Sequence, residues 1–139
     1  MKVLVDTCIW SLALRRNDQH EVPAVLELRE LVKEFRVQMT GPIRQELLSG
    51  IKIVGRYSQL RDHLRAFTDM PVTTADYELA AEFFNLSRAK GIQGSNTDFL
   101  LCALSVRNDL PIFTTDNDFM LYQQQLPISL HTVRPDILP

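Results

Sequence analysis

Residues 2–7 read Lys2-Val3-Leu4-Val5-Asp6-Thr7, three apolar residues in a row that stop at a carboxylate, with a helical pattern directly behind them. A short unbroken apolar run is the mark of a strand buried on both faces, as at the centre of a parallel sheet. Ligands of open α/β sheets gather outside the carboxyl ends of such strands. Asp6 is expected to stand at that edge, and what joins it there decides the chemistry of the chain.

Outward from this strand, helices and short strands alternate. Cys8 to Arg16 reads as a helix with Asp6 or Thr7 as its amino cap. Asn17-Asp18-Gln19-His20 is a polar turn. The next helix carries Val22, Val25, Leu26, Leu31 and Val32 at helical spacing, with Pro23 tolerated in its first turn. Phe35 to Met39 is a short strand, and Thr40-Gly41-Pro42 opens a third helix that runs through Gly50. A fourth helix covers Val54 to Phe67. Met70-Pro71-Val72 is a weak strand, demoted by its proline. Thr74 is expected to cap a fifth helix with Leu79, Ala80, Phe83, Phe84 and Leu86 on its apolar side. Gly91 to Asn96 is a loop. The sixth helix, Thr97 to Arg107, is apolar on every side from Phe99 to Ala103, as in a buried helix. Pro111 to Thr114 is a strand, a short helix follows from Phe119, and Ile128-Ser129-Leu130 is a final edge strand. This alternation predicts an α/β fold with a parallel central sheet of about four to five strands flanked by helices, joined by right-handed crossovers.

The 139 residues suit one domain with a proper core, and 45% hydrophobic with 23% charged residues is an ordinary globular mix. No apolar run approaches the ~20 residues needed to span a bilayer. Asp6 interrupts the amino-terminal apolar stretch, so no signal peptide is expected there and a cytoplasmic location is the default. Two cysteines, Cys8 and Cys102, are too few for a disulfide framework and read as small buried residues. Net charge is −2, which excludes a protein coated in basic residues. The charge is unevenly spread, however. Lys52, Arg56, Arg61 and Arg65 face Asp62 alone between residues 47 and 65, whereas Arg107 and Arg134 face five aspartates beyond residue 91. Such a basic stripe beside an acidic region suits the steering of a polyanion, although a solvated helix face has the same composition.

Four acids occupy special places: Asp6, Glu46, Asp98 and Asp116. Asp6, Asp98 and Asp116 each stand near a predicted helix amino end, where a cap contributes about 0.5–2 kcal/mol. Glu46 shares a helix face with Ile43, Leu47 and Gly50, which is expected to turn its carboxylate toward the core, where an unpaired charge is costly. In a parallel sheet Asp6 and Asp116 lie just past strand ends on one edge, and the sixth helix brings Asp98 there by its amino terminus. Two carboxylates about 4 Å apart repel by up to ~4 kcal/mol at an effective dielectric near 20, more than a cap contributes. Converging acids therefore call for a cation or for raised pKa values. Oxygen ligands without a nearby His or Cys suit Mg²⁺ or Mn²⁺, and the scattered His20, His63 and His131 match no zinc spacing.

Val-Leu-Val-Asp-Thr at 3–7, Gln-Glu-Leu-Leu-Ser-Gly at 45–50, Thr-Asp-Phe-Leu-Leu-Cys-Ala at 97–103 and Thr-Thr-Asp-Asn-Asp-Phe at 114–119 resemble, in order and spacing, the motifs of PIN-domain nucleases. Size and amino-terminal start are similar to those of the VapC toxins of bacterial toxin–antitoxin pairs. The resemblance spans residues 1–139 as a single PIN-like domain. It implies a Mg²⁺- or Mn²⁺-dependent endoribonuclease in which Asp6, Glu46, Asp98 and Asp116 are the catalytic metal ligands. Thr7 and Thr114 are implied to orient a carboxylate or water, and Asp118 stands at a position that varies in the family. Cys8 occupies a place where Ser or Asn is more common. Lys52, Arg56, Arg61 and Arg65 are candidates for RNA phosphate contacts. The family commonly dimerises and is silenced by an antitoxin segment across a hydrophobic groove, for which Trp10, Leu14, Tyr57 and Leu60 are candidates.

A phosphohydrolase of haloacid-dehalogenase type also begins with a strand ending in Asp. It requires a second Asp two residues later, where this chain has Cys8, and a late Lys, whereas no Lys follows Lys90. A third reading is a PIN-like module that binds a partner without catalysis. Phosphate-loop nucleotide binding is unsupported, since Gly91-x-x-Gly94 is too little of a glycine pattern.

Overall fold

Val3–Val5 forms the first strand (β1), and in the computed structural model, which describes residues 1–15 and 22–137, its three side chains are 0%, 0% and 2% exposed. Val3 and Val5 pack into one hydrophobic cluster and Leu4 into the other, so β1 separates two half-cores. This is the strand buried on both faces that the apolar run predicts. It lies between two parallel neighbours, β2 (Val37–Gln38) and β3 (Ile112–Phe113), with Val3 opposite Val37 and Val5 opposite Phe113. Single parallel bridges extend the sheet at both margins, Met39 with Asp69 and Ile112 with Leu130. The two expected outer strands are thus reduced to one residue pair each. Pro71 lacks the amide a longer pairing would need.

Thr7–Leu14 (α1) follows β1 directly, with Asp6 as its cap. The expected end at Arg16 and the polar turn Asn17–His20 lie outside the described residues. Pro23–Lys33 (α2) ends with Phe35 in the left-handed region at φ 56°, and the Arg36 amide reaches back to Leu31 O at 2.9 Å. Phe35 takes the cap position usually held by glycine. The strand expected from Phe35 therefore starts only at Val37. Gly41–Leu48 (α3) and Val54–Leu64 (α4) stop two and three residues short of their expected ends.

Thr74–Ala89 (α5) is capped by Thr73 rather than Thr74, because Asp76 accepts both the Thr73 amide at 2.7 Å and its hydroxyl at 3.0 Å. Asn96–Asn108 (α6) is capped by Ser95 and buried continuously from Phe99 to Ser105. Asp118–Gln123 (α7) completes the helices, followed by a 3₁₀ turn at Pro135–Ile137. Among the described residues no helix is long and apolar enough to cross a membrane.

Two polar clamps set the positions of these elements. Arg44 on α3 pairs with Asp69 at 2.9 Å and donates to the carbonyls of Leu64 and Phe67, fixing α3 against the end of α4. Glu27, fully buried on α2, receives Arg134 Nε at 2.8 Å and lies 2.9 Å from His131 Nε2. Arg134 also reaches Glu34 at 3.0 Å. The carboxyl-terminal stretch is thereby drawn over α2, and Leu130 is held beside β3. His131 is engaged in this clamp.

Candidate functional site

The chain leaves β1 at Asp6 and β3 at Thr114, so parallel pairing delivers both residues to one edge of the sheet. Asp6 Oδ1 accepts the Thr7 amide at 2.8 Å, and Oδ2 accepts the Thr114 hydroxyl at 2.8 Å. Asp6 is 8% exposed. Burial raises its carboxyl above the ordinary carboxylate value, against the lowering pull of Thr114 and Thr7, and Asp98 nearby raises it further. The expected helix cap is real, yet the same carboxylate is also held by Thr114 just past β3, which a cap does not require.

Thr114 is the junction of the site. Its oxygen also accepts the Asp116 amide at 3.0 Å, and Asp116 Oδ1 accepts the Asp118 amide at 2.9 Å, which starts α7. Cys8 Sγ lies 3.3 Å from Thr114 Oγ1, accepts the Thr115 amide at 3.3 Å and reaches Asp6 Oδ2 at 3.7 Å. The thiol therefore bridges the end of β1 and the turn after β3. Cys8 is only half-buried, which corrects its reading as a small core residue; Cys102 is fully buried as expected.

Asp98 comes from the first turn of α6, where its amide donates to Ser95 Oγ at 3.0 Å and its carboxylate accepts the Tyr122 hydroxyl at 2.7 Å. Burial pushes its carboxyl up, Tyr122 and Ser95 pull it down, and the charges of Asp116 and Glu46 push it up again. Asp98 on α6 thus interacts electrostatically with Asp6 just past β1, Glu46 on α3 and Asp116 in the turn after β3. Among the described residues none of these four acids forms an ion pair with a basic side chain.

Glu46 needs a correction. Ile43 and Leu47 are buried, but Glu46 is exposed, and its carboxylate accepts the Thr7 hydroxyl at 3.1 Å. At about 100° per residue Glu46 falls on the margin of the buried stripe of α3, so its side chain leaves the core and enters a cleft. Thr7, Pro42, Gln45, Glu46, Ser49 and Thr97 line that cleft, about 420 Å³ in volume. Asp116 is exposed as well. Among the described residues no three His, Cys, Asp or Glu side chains are gathered closely enough to enclose an ion. The donor chemistry nonetheless fits a hard divalent cation: all oxygen, anionic, and without a basic partner among the described residues.

The basic stripe divides in two. Arg61 and Arg65 share Asp62, at 3.0 and 3.6 Å. Lys52 and Arg56 have no ion pair among the described residues and line a groove of about 630 Å³ whose floor includes Leu14, Ile51, Ile53 and Leu60. Trp10, expected as a groove residue, belongs instead to the core, 5% exposed and edge-on to Phe67 at 5.1 Å. Tyr122 was not visible from sequence, because a tyrosine in an apolar helical stretch carries no mark of its hydroxyl's partner.

Residues 3–123 match the PIN domain family. No curated protein matches the chain. Among solved structures, FitAcB from Neisseria gonorrhoeae has a TM-score of 0.75 at 18% identity, covering 94% of this chain and 96% of that one. FitAB bound to a DNA fragment has a TM-score of 0.73 at 16% identity, with 93% of each chain covered. VapBC2 from Rickettsia felis, bound to a DNA fragment from its promoter, has a TM-score of 0.73 at 18% identity, covering 94% of this chain and 98% of that one. At these identities the likeness is one of fold.

Proposed function

The chain belongs to the PIN-domain family, and on that premise we propose that it is a metal-dependent endoribonuclease, the cytoplasmic toxin of a type II toxin–antitoxin pair. One observation carries the reading: three carboxylates, Asp6, Glu46 and Asp116, each interact electrostatically with a fourth, Asp98, and none of the four has a basic partner among the described residues. Asp6 and Asp98 would hold Mg²⁺ or Mn²⁺, with Glu46 and Asp116 as the further ligands. When bound, the ion polarises the scissile phosphate and makes water more acidic.

The chain's own residues do the rest. Thr114 and the Thr7 amide keep the Asp6 carboxylate from turning, and Asp116 is oriented by the amide of Asp118. Glu46 or Asp116, both exposed, accepts the proton of the attacking water. Lys52 and Arg56 contact backbone phosphates beside the cleft, with Arg61 and Arg65 further along α4. The whole of residues 1–139 acts as one nuclease domain and works as a homodimer. The groove with Leu14 and Leu60 on its floor receives the antitoxin segment, which would cover Lys52 and Arg56 in doing so. The two-component names FitAB and VapBC2, each on DNA, support a partner of this kind.

Expression without a partner tests the reading. Wild type is expected to arrest growth and Asp6→Asn to permit it; equal tolerance of both refutes the toxin. RNA cleavage that persists in excess EDTA refutes the metal.

A further inference from the structure

Of the two glycines in the Gly91–Asn96 loop, Gly91 serves the backbone, with φ at 77°, whereas Gly94 has no positive φ. Gly94 is a matter of space. A Cβ there would stand 2.8 Å from Tyr122 Cζ, closer still to the Tyr122 hydroxyl, and 3.0 Å from Phe99 Cε2. The ring in its way has no room to recoil. Tyr122 is 0% exposed and packed against Phe99 at 5.0 Å and Phe119 at 5.1 Å between ring centroids. Its hydroxyl donates to Asp98 Oδ2 at 2.7 Å. The bare backbone of residue 94 thus forms one wall of the slot that aims this hydroxyl at Asp98.

We infer that Tyr122 is a positioning residue for Asp98, that Gly94 is there to admit it, and that the pair sets the affinity of the acidic cleft for a divalent cation. The inference rests on the metal reading of the four acids given above. Its physical basis is simple. A carboxylate on the first turn of a helix has free rotamers, and a ligand that must be ordered by the ion binds it less tightly. A hydrogen bond from a side chain that cannot itself move orders the carboxylate beforehand. Partners of this kind typically change metal affinity about 10–100-fold. A buried tyrosine also needs an acceptor for its own sake, so stability alone does not separate the two roles.

Calorimetric titration of Mn²⁺ into the full chain separates them, using wild type, Asp6→Asn, Tyr122→Phe, Gly94→Ala and the double variant. Tyr122→Phe keeps every ring contact and loses only the hydroxyl. It is expected to stay folded by circular dichroism and to bind Mn²⁺ about tenfold more weakly. Gly94→Ala is expected to weaken binding similarly, and to add little on the Tyr122→Phe background because both act through one hydroxyl. If Gly94→Ala does not fold, Tyr122→Phe decides alone. Wild-type affinity in Tyr122→Phe overturns the inference and leaves the metal reading standing. Wild type that binds no Mn²⁺, or Asp6→Asn that binds as well as wild type, overturns the metal reading and this inference with it.

Discussion

Thr114→Val is the perturbation that most directly probes how the site is held together. The substitution keeps the branched shape and deletes one oxygen. That oxygen donates to Asp6 Oδ2 at 2.8 Å, accepts the Asp116 amide at 3.0 Å and lies 3.3 Å from Cys8 Sγ. A hydroxyl has one donor and two acceptor positions; Asp6 takes the donor and the Asp116 amide one acceptor, with the thiol beside the other. The bond to the Asp6 carboxylate is charge-assisted, worth about 1.5–3 kcal/mol. After its loss Asp6 Oδ2 retains only the thiol at 3.7 Å, a weak partner. At roughly 3–4 °C per kcal/mol for a domain of this size, the melting temperature of Thr114→Val should fall by about 5–10 °C. Cleavage of RNA should fall about 10–100-fold, since Asp6 and Asp116 are released together. Thr114→Ser, which retains the hydroxyl, should keep most of the activity. A melt followed by circular dichroism and a fluorogenic RNA assay measure both quantities. A valine variant with full activity, or a serine variant as impaired as valine, refutes the role given to this hydroxyl.

The remaining expectations concern the clamps and the basic groove. Burial alone would raise the Asp76 carboxyl, but the Thr73 amide, the Thr73 hydroxyl and Arg107 at 2.7 Å outweigh it, holding it below the ordinary 3.8. A depressed carboxylate stabilises the fold above its unfolded pKa and loses that contribution as pH falls through the folded one. Wild type should therefore lose stability below about pH 4 more steeply than Asp76→Asn, as urea midpoints against pH will record; parallel profiles would refute it. Arg134→Ala should destabilise more than Glu27→Gln, because it leaves a fully buried carboxylate with His131 as its remaining partner among the described residues, whereas Arg134 is 30% exposed and can take up water. The upper bound is about 3–5 kcal/mol, and the reverse order in urea unfolding would overturn the argument. Lys52→Ala and Arg56→Ala should each weaken RNA binding and reduce the slope of log affinity against log salt by about one, with smaller effects from Arg61→Ala and Arg65→Ala. Equal slopes for all four would show that pairing with Asp62 does not matter.

Legibility followed the range of the forces involved. The apolar run at 3–5 announced a strand buried on both faces because a three-residue burial pattern is local, and the uniformly apolar Phe99–Ala103 announced a buried helix for the same reason. Caps were legible to within a residue. The choice of Thr73 over Thr74 turned on which one Asp76 could reach back to. Phe35 misled because its left-handed conformation follows from the way α2 ends, and no propensity of phenylalanine foretells it.

At the site, the residue types and their order along the chain were enough to name four acids and the ion chemistry that suits them. Parallel pairing then implied that Asp6 and Asp116 share an edge, since strand direction follows from the alternation with helices. What pairing could not convey is where a side chain turns once it arrives. Glu46 sits one helical step from a buried stripe, and only the packing of α3, pinned by Arg44, decides that its carboxylate leaves the core for the cleft. Tyr122 meets Asp98 and packs over Gly94 because α7 folds back on α6, and the hydrogen bond joins residues 24 apart, which no local pattern encodes. Composition and periodicity are sums over near neighbours, and they single out the acids; directed hydrogen bonds between distant segments hold Asp6 and Asp98 in place, and they exist only once the chain has packed.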